Sequence, residues 1–238
     1  MKFLFTIFLG WAVSCGPDKD TYTGAVGPPV MPTRKLHAGF LVVDGVYNTE
    51  LIAPMDVFQH TLFHTEHGMD VSVIGPNRDT ITSFEGLQII PNYSLADTIP
   101  PIDVLIVPSA RNSMGDDLKN EQMISFVKKQ SQSALYVMSL CDGAFVLAQA
   151  GVLNGVDCTT FPADIDRFRQ QFPTLKVYEN VSFVHDRKVI TSAGGAKSYD
   201  AALYLVELLY GRSAAVKIGQ GLVIDWDLTQ VKNHRTAR

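Results

Sequence analysis

The sequence predicts an α/β fold: a mostly parallel sheet covered by helices on both faces, in a single domain. Three observations predict it. Apolar runs of strand length, such as Asp103–Val107 (DVLIV) and Ala134–Leu140 (ALYVMSL), lack polar alternation, the pattern of strands buried on both faces. Stretches with helical apolar spacing lie between those runs, the order of a wound α/β sheet. No internal repeat or composition break divides residues 36–228, so these elements belong to one domain.

Composition agrees with a large core. Hydrophobic residues make up 46% of the 238-residue chain and charged residues 18%, which excludes a disordered polar protein. The net charge of −4 supplies no basic field, so nucleic acid is not an expected partner. Three cysteines without a CxxC spacing form neither a disulfide scaffold nor a zinc site. No metal and no cofactor are expected.

Each element has its own warrant. Met1–Cys15 is an address: Lys2, the apolar run Phe3–Val13, then Ser14-Cys15, a secretory signal too short to span a bilayer. Ala12-Val13-Ser14-Cys15 resembles a bacterial lipobox, with Ala12 where Leu is usual, which makes Cys15 the expected lipidation site. The expected location is the bacterial cell envelope, with the membrane reached only through that anchor. Residues 16–35 read as a linker without apolar periodicity.

Leu36–Val43 reads as the first buried strand, closed by the turn Asp44-Gly45. Leu51, Met55, Phe58 and Leu62 then fall at helical spacing, with Pro54 better suited to that helix's first turn than to its middle. Met69–Ile74 is a strand, followed by two weaker ones around Ile81–Ser83 and Leu87–Ile90. Asp103–Val107 is a strand, Glu121–Lys129 a helix, Ala134–Leu140 a strand and Ala144–Ala150 a helix. A strand near Cys158–Phe161, a helix over Ile165–Gln171 and a hairpin from Lys176 to Ser192 follow. Ser198–Tyr210 is the closing helix, with Ser198, Tyr199 and Asp200 capping it. Residues 229–238 are expected as a solvated basic tail.

The chemistry concentrates at Cys141. It sits between a buried strand and a helix, where Gly143 and Ala144 leave room for a sharp turn. Helix N-terminal amides favour a thiolate, and ligand sites of α/β sheets gather at this edge. Cys158, in Asp157-Cys158-Thr159-Thr160, reads as a buried strand residue.

Five segments in register resemble the ThiJ/PfpI family of the class I glutamine amidotransferase-like superfamily. They are Asp44-Gly45-Val46 through Pro54-Met55-Asp56-Val57-Phe58; Val104–Pro108; Leu140-Cys141-Asp142-Gly143-Ala144 with Leu147–Gly155; Thr159-Thr160-Phe161-Pro162; and Ile190–Gly195 into Asp200–Leu203. The resemblance implies a flavodoxin-like sheet, a homodimer and Cys141 as reactive thiol. It also implies an acid beside the thiol, which spacing to Pro54 and Asp56-Val57 assigns to Glu50. Relatives of the isonitrile hydratase kind use an acid at that position for proton transfer. A carboxyl facing a thiolate in a dry cleft resists ionisation, which agrees with that role.

Three departures narrow the chemistry. Many members carry His where this chain has Phe161, and Phe neither activates a thiol nor protonates a leaving group. Peptidase and glutaminase readings therefore fall. His60, His64 and His67 are expected to be solvated, and His185 sits in the hairpin. After Pro108 the family has Gly-Gly, whereas this chain has Ser109-Ala110, which is expected to present an oxyanion-binding amide at narrower backbone angles. Asp142 follows the nucleophile in place of the family's Thr or small residue, and is a candidate acid or base as well as a helix-start acid.

Two functions remain. The first is a cysteine-dependent hydratase, lyase or glyoxalase-like enzyme on a small electrophilic substrate, with Cys141 as nucleophile, Glu50 as proton shuttle, Asp142 as a further acid, and Ser109, Ala110, Gly143 and Phe161 lining the substrate site. The second is a non-catalytic redox-sensing or ligand-binding envelope module, in which Cys141 would be oxidised and held by Glu50.

Overall fold

The computed structural model describes residues 28–236. The expected signal segment, the lipidation site Cys15 and the first part of the linker lie outside the described residues.

The strands are β1 (Leu36–Leu41), β2 (Met69–Gly75), β3 (Ile81–Thr82), β4 (Gln88–Ile89), β5 (Tyr93–Ser94), β6 (Val104–Val107), β7 (Tyr136–Leu140), β8 (Asp157–Cys158), β9 (Lys176–Val177), β10 (Phe183–Asp186), β11 (Val189–Ser192) and β12 (Asn233–Arg235). The helices are α1 (Asn48–Gln59), α2 (Thr61–His64), α3 (Glu121–Ser133), α4 (Gly143–Gln149), α5 (Ile165–Gln171), α6 (Lys197–Tyr210) and α7 (Arg212–Gly221). An eight-stranded sheet runs β12-β10-β11-β7-β6-β1-β2-β5. Within it only β10 and β11 pair antiparallel. The mostly parallel sheet matches the expected fold class.

Side-chain alternation sends each strand's residues to two cores. Val104 and Ile106 of β6, with Phe40 and Met138, face α1, α6 and α7. Leu105 and Val107, with Val137, face α3, α4 and Phe168 of α5. Both faces are therefore dry, which is why these strands read as unbroken apolar runs. The parallel strands end on one edge, and the loops after β1, β6, β7 and β11 meet there.

Several boundaries differ from the sequence reading, each for a physical reason. Residues 230–236 are not a free tail: β12 pairs in parallel with β10, and Asn233 and Arg235 are buried. Charged side chains are common on sheet edges, so a basic run does not by itself mean solvation. Pro54 lies inside α1 rather than in its first turn, because the helix starts at Asn48. The missing Pro54 amide leaves the Glu50 carbonyl without its usual helical donor.

The expected long hairpin is shorter. Lys176–Val177 pairs in parallel with β8, and only β10 and β11 form the hairpin. The chain also adds α7 after α6, and the residue before α6 is Ala196, with no side-chain cap. Within the expected linker, the Val30 and Met31 amides donate to the Leu208 and Leu209 carbonyls at 3.1 and 2.8 Å. Arg34 grips Asp103 through both guanidinium nitrogens at 2.6 and 2.8 Å. That end of the linker is docked.

Candidate active site

Cys141 occupies the turn between β7 and α4. Its amide donates to the Ser192 carbonyl at 3.0 Å, extending the β7–β11 ladder by one residue before the chain turns. Its φ is +54°, a left-handed value that costs a side-chain-bearing residue about 1–2 kcal/mol. Two glycines make the turn fit. A Cβ at Gly143 would stand 2.0 Å from the Val107 carbonyl oxygen, and one at Gly194 would stand 2.3 Å from the Cys141 Cβ. The corner is thus wedged between the ends of β6 and β11.

Cys141 is 6% exposed. Burial pushes its thiol well above the ordinary range, and negative charge on Asp142 and Glu50 pushes the same way. A hydrogen bond from Ser109 and the Asp142 amide act against that by favouring the ionised sulfur. Ser109 is fully buried, its hydroxyl makes no hydrogen bond of standard geometry among the described residues, and it lies near enough to the sulfur to favour its ionised form.

Glu50 comes from the first turn of α1. Its Oε1 accepts the Gly195 amide at 2.9 Å, which ties α1 to the loop after β11. Its Oε2 is buried without a hydrogen-bond partner among the described residues. Burial raises its pKa, the Gly195 amide opposes the rise, and the Cys141 thiol is one of the groups that modulate it. A buried thiol and a buried carboxyl facing each other resist carrying two negative charges, so the pair retains a proton.

Asp142 is also buried, and the Thr160 hydroxyl donates to its Oδ1 at 3.0 Å. The same hydroxyl lies 3.1 Å from the Cys141 carbonyl. Burial first, then the charge of Asp164, raises the Asp142 pKa to about 7. The carboxyl next to Cys141 therefore gains or loses its proton near neutrality.

Of the other residues named from sequence, the structure places Ser109 near the sulfur, while Gly143 packs against the Val107 carbonyl at the start of α4. Phe161 follows Thr160 and is 39% exposed, so the position that is His in many relatives is an apolar surface here. Ala110 requires a correction: its amide donates to the Ser113 Oγ at 2.8 Å, so it is not an open oxyanion donor. A serine three residues on closes that turn, and Ser113 was the available sign of it. Cys158 is fully buried in β8, its thiol 3.7 Å from the Lys176 carbonyl. His185 is buried as well, 2.7 Å from the Tyr204 hydroxyl and away from the sulfur's partners.

Sequence reasoning missed Tyr47, Thr160 and Asp164. Tyr47 has its ionisation opposed by burial and by charge on Cys141, Glu50 and Asp142. Nothing in the periodicity marks it, because it precedes α1 in a loop. Among the described residues no group of three or more His, Cys, Asp or Glu could hold a metal ion.

Comparisons with known proteins agree with this architecture. The DJ-1/PfpI family matches residues 37–208. An isonitrile hydratase of Pseudomonas putida is 32% identical over 183 residues, 76% of this chain and 75% of that protein. The crystal structure of a ThiJ/PfpI family protein from Pseudomonas syringae is similar with a TM-score of 0.73 at 23% identity, covering 90% of this chain and 84% of that one. Drosophila melanogaster DJ-1beta gives a TM-score of 0.69 at 22% identity, covering 81% of this chain and all 100% of its own. With its wedged cysteine corner and a family match running from β1 into α6, this chain belongs to the DJ-1/PfpI family.

Proposed function

We propose that this protein is a cysteine-dependent hydratase or lyase acting on a small electrophilic carbon, such as an isonitrile or a reactive aldehyde. Cys141 is the nucleophile and Glu50 carries the proton. The observation that supports this most is the pairing of a strained cysteine corner with a buried carboxyl held by the Gly195 amide, with no histidine in the arrangement. The similarity to an isonitrile hydratase is consistent with it.

In this reading the thiol proton passes to Glu50 as sulfur bonds to the electrophilic carbon. Glu50 then returns the proton to the substrate, so no net charge is buried. For an isonitrile the adduct is a thioimidate; water adds to its carbon, the C–S bond breaks, and the product is a formamide with the thiol restored. The Asp142 and Gly143 amides, at the start of α4, are the donors placed for developing negative charge. Asp142, titrating near neutrality, is a second proton source beside the sulfur.

Turnover of isonitriles and small aldehydes by wild type, Cys141→Ala and Glu50→Gln tests the proposal. Loss of turnover in the alanine variant and a fall of about a hundredfold or more in the glutamine variant are expected. Equal rates in wild type and Cys141→Ala refute it.

One observation favours the second reading, a non-catalytic redox or ligand-binding module: burial holds the sulfur as a thiol. Peroxide treatment followed by intact-mass measurement separates its redox form, which requires oxidation at Cys141. The proposal also includes a homodimer in the bacterial cell envelope, anchored through Cys15. Light scattering and the mass of the mature N-terminus test those two points.

A further inference from the structure

The loop after β6 places an arginine beside the site. The Arg111 amide donates to the Gly45 carbonyl at 3.0 Å, and the preceding Ala110 forms an antiparallel bridge with Val46. The backbone of Arg111 is therefore locked to the loop after β1 while its side chain is exposed. Its guanidinium lies over the Phe84 ring, 5.1 Å from the centroid. Phe84 in turn packs on Tyr47, with ring centroids 4.9 Å apart. The Tyr47 amide donates to the Ser109 carbonyl at 3.1 Å, which ties the Tyr47–Phe84–Arg111 group to the loop that reaches Cys141, and the Tyr47 phenol feels charge from Cys141, Glu50, Asp142 and Arg111.

Arg111 has no acidic partner among the described residues. Arg34, Arg78, Arg169, Arg187 and Arg212 each pair with a carboxylate. Glu85, next to Phe84 in the chain, turns instead to the Asn48 amide at 3.0 Å. A guanidinium held over an aromatic ring, with no carboxylate partner among the described residues, is free to receive a carboxylate through two parallel hydrogen bonds.

We propose that Arg111 is the substrate-recognition residue of this site and selects small electrophiles that carry a carboxylate, holding that group over Phe84 while the electrophilic carbon faces Cys141. The inference rests on Cys141 being the nucleophile and adds the chemical class of its substrate.

Alkylation of Cys141 by iodoacetate and by iodoacetamide tests this without any turnover assay. The two reagents differ chiefly in the carboxylate, and each forms a C–S bond with release of iodide. Rates are read by mass spectrometry on wild type, Arg111→Met and Arg111→Lys, with Cys141→Ser as the blank. Arg111→Met should slow iodoacetate about fivefold and leave iodoacetamide unchanged, and Arg111→Lys should recover part of the loss. An unchanged ratio of the two rates in Arg111→Met, with Cys141 still alkylated, overturns the role of Arg111 and leaves the nucleophile reading standing. Failure of both reagents on wild type removes the nucleophile reading, and this inference with it.

Discussion

Replacing Asp142 by Asn probes the electrostatics beside Cys141. Asp142 is 7% exposed, and its pKa rises from 3.8 to about 7 through burial and the charge of Asp164. That shift corresponds to about 4 kcal/mol of penalty for the ionised form. The native carboxyl holds its proton to higher pH than the unfolded chain does. Its contribution to stability is therefore fully present below about pH 4 and is lost as pH rises towards 7. Asn keeps an oxygen for the Thr160 hydroxyl and never ionises, so it removes the penalty without emptying the position.

The variant should gain about 2–4 kcal/mol above neutrality, equivalent to roughly 5–12 °C in Tm for a chain of this size. The gain should grow across the acidic range and level off above it. Thermal and urea unfolding of both proteins at acidic, neutral and mildly alkaline pH measures this. A stability difference that does not change with pH, or a variant less stable than wild type at alkaline pH, refutes the reasoning.

Gly194→Ala should damage the site from a distance of one residue. Its Cβ would stand 2.3 Å from that of Cys141 at a φ of +78°, so a loss of about 3 kcal/mol or more in unfolding free energy is expected. Ser109→Ala should leave the fold intact, because the hydroxyl makes no hydrogen bond of standard geometry. It removes a hydrogen bond that favours the ionised sulfur, so alkylation of Cys141 at fixed neutral pH should slow about tenfold. Deleting residues 232–238 strips β12 from β10 and takes His234 from Asp157, a contact of 2.9 Å. Denaturant unfolding should show about 2–4 kcal/mol less stability, whereas a solvated tail would be lost without effect.

The sheet was legible because burial on both faces leaves a plain mark: Val104–Val107 is an unbroken apolar run, Tyr136–Leu140 is broken only by the buried Ser139, and the two pair with one another. Ile165–Gln171 was legible as a helix because its apolar spacing and acidic start agree. β12 was not, because Lys232, His234 and Arg235 look like a tail until an edge partner is known. The same holds for β5, a two-residue strand whose pairing with β2 depends on the fold around it.

At the site, the strand-to-helix corner that holds Cys141 was legible as a local turn, whereas Glu50 was assigned only through the resemblance to the family, since a first-turn acid alone does not single it out. The cluster of Arg111, Phe84 and Tyr47 was not legible. Three loops far apart in sequence meet there, and no spacing rule links them. Thr160 and Asp164 escaped for the same reason: each reads locally as a turn residue, and their effect on Asp142 appears only when the loop after β8 closes over the corner.

The most direct test of the account is to trap the bond it places on Cys141. Wild type is mixed with a small isonitrile, quenched in acid within one turnover, and digested for peptide mass analysis. The account predicts one substrate mass added to the peptide holding Cys141, and neither adduct nor product with Cys141→Ala. Product formed by Cys141→Ala at the wild-type rate would contradict it.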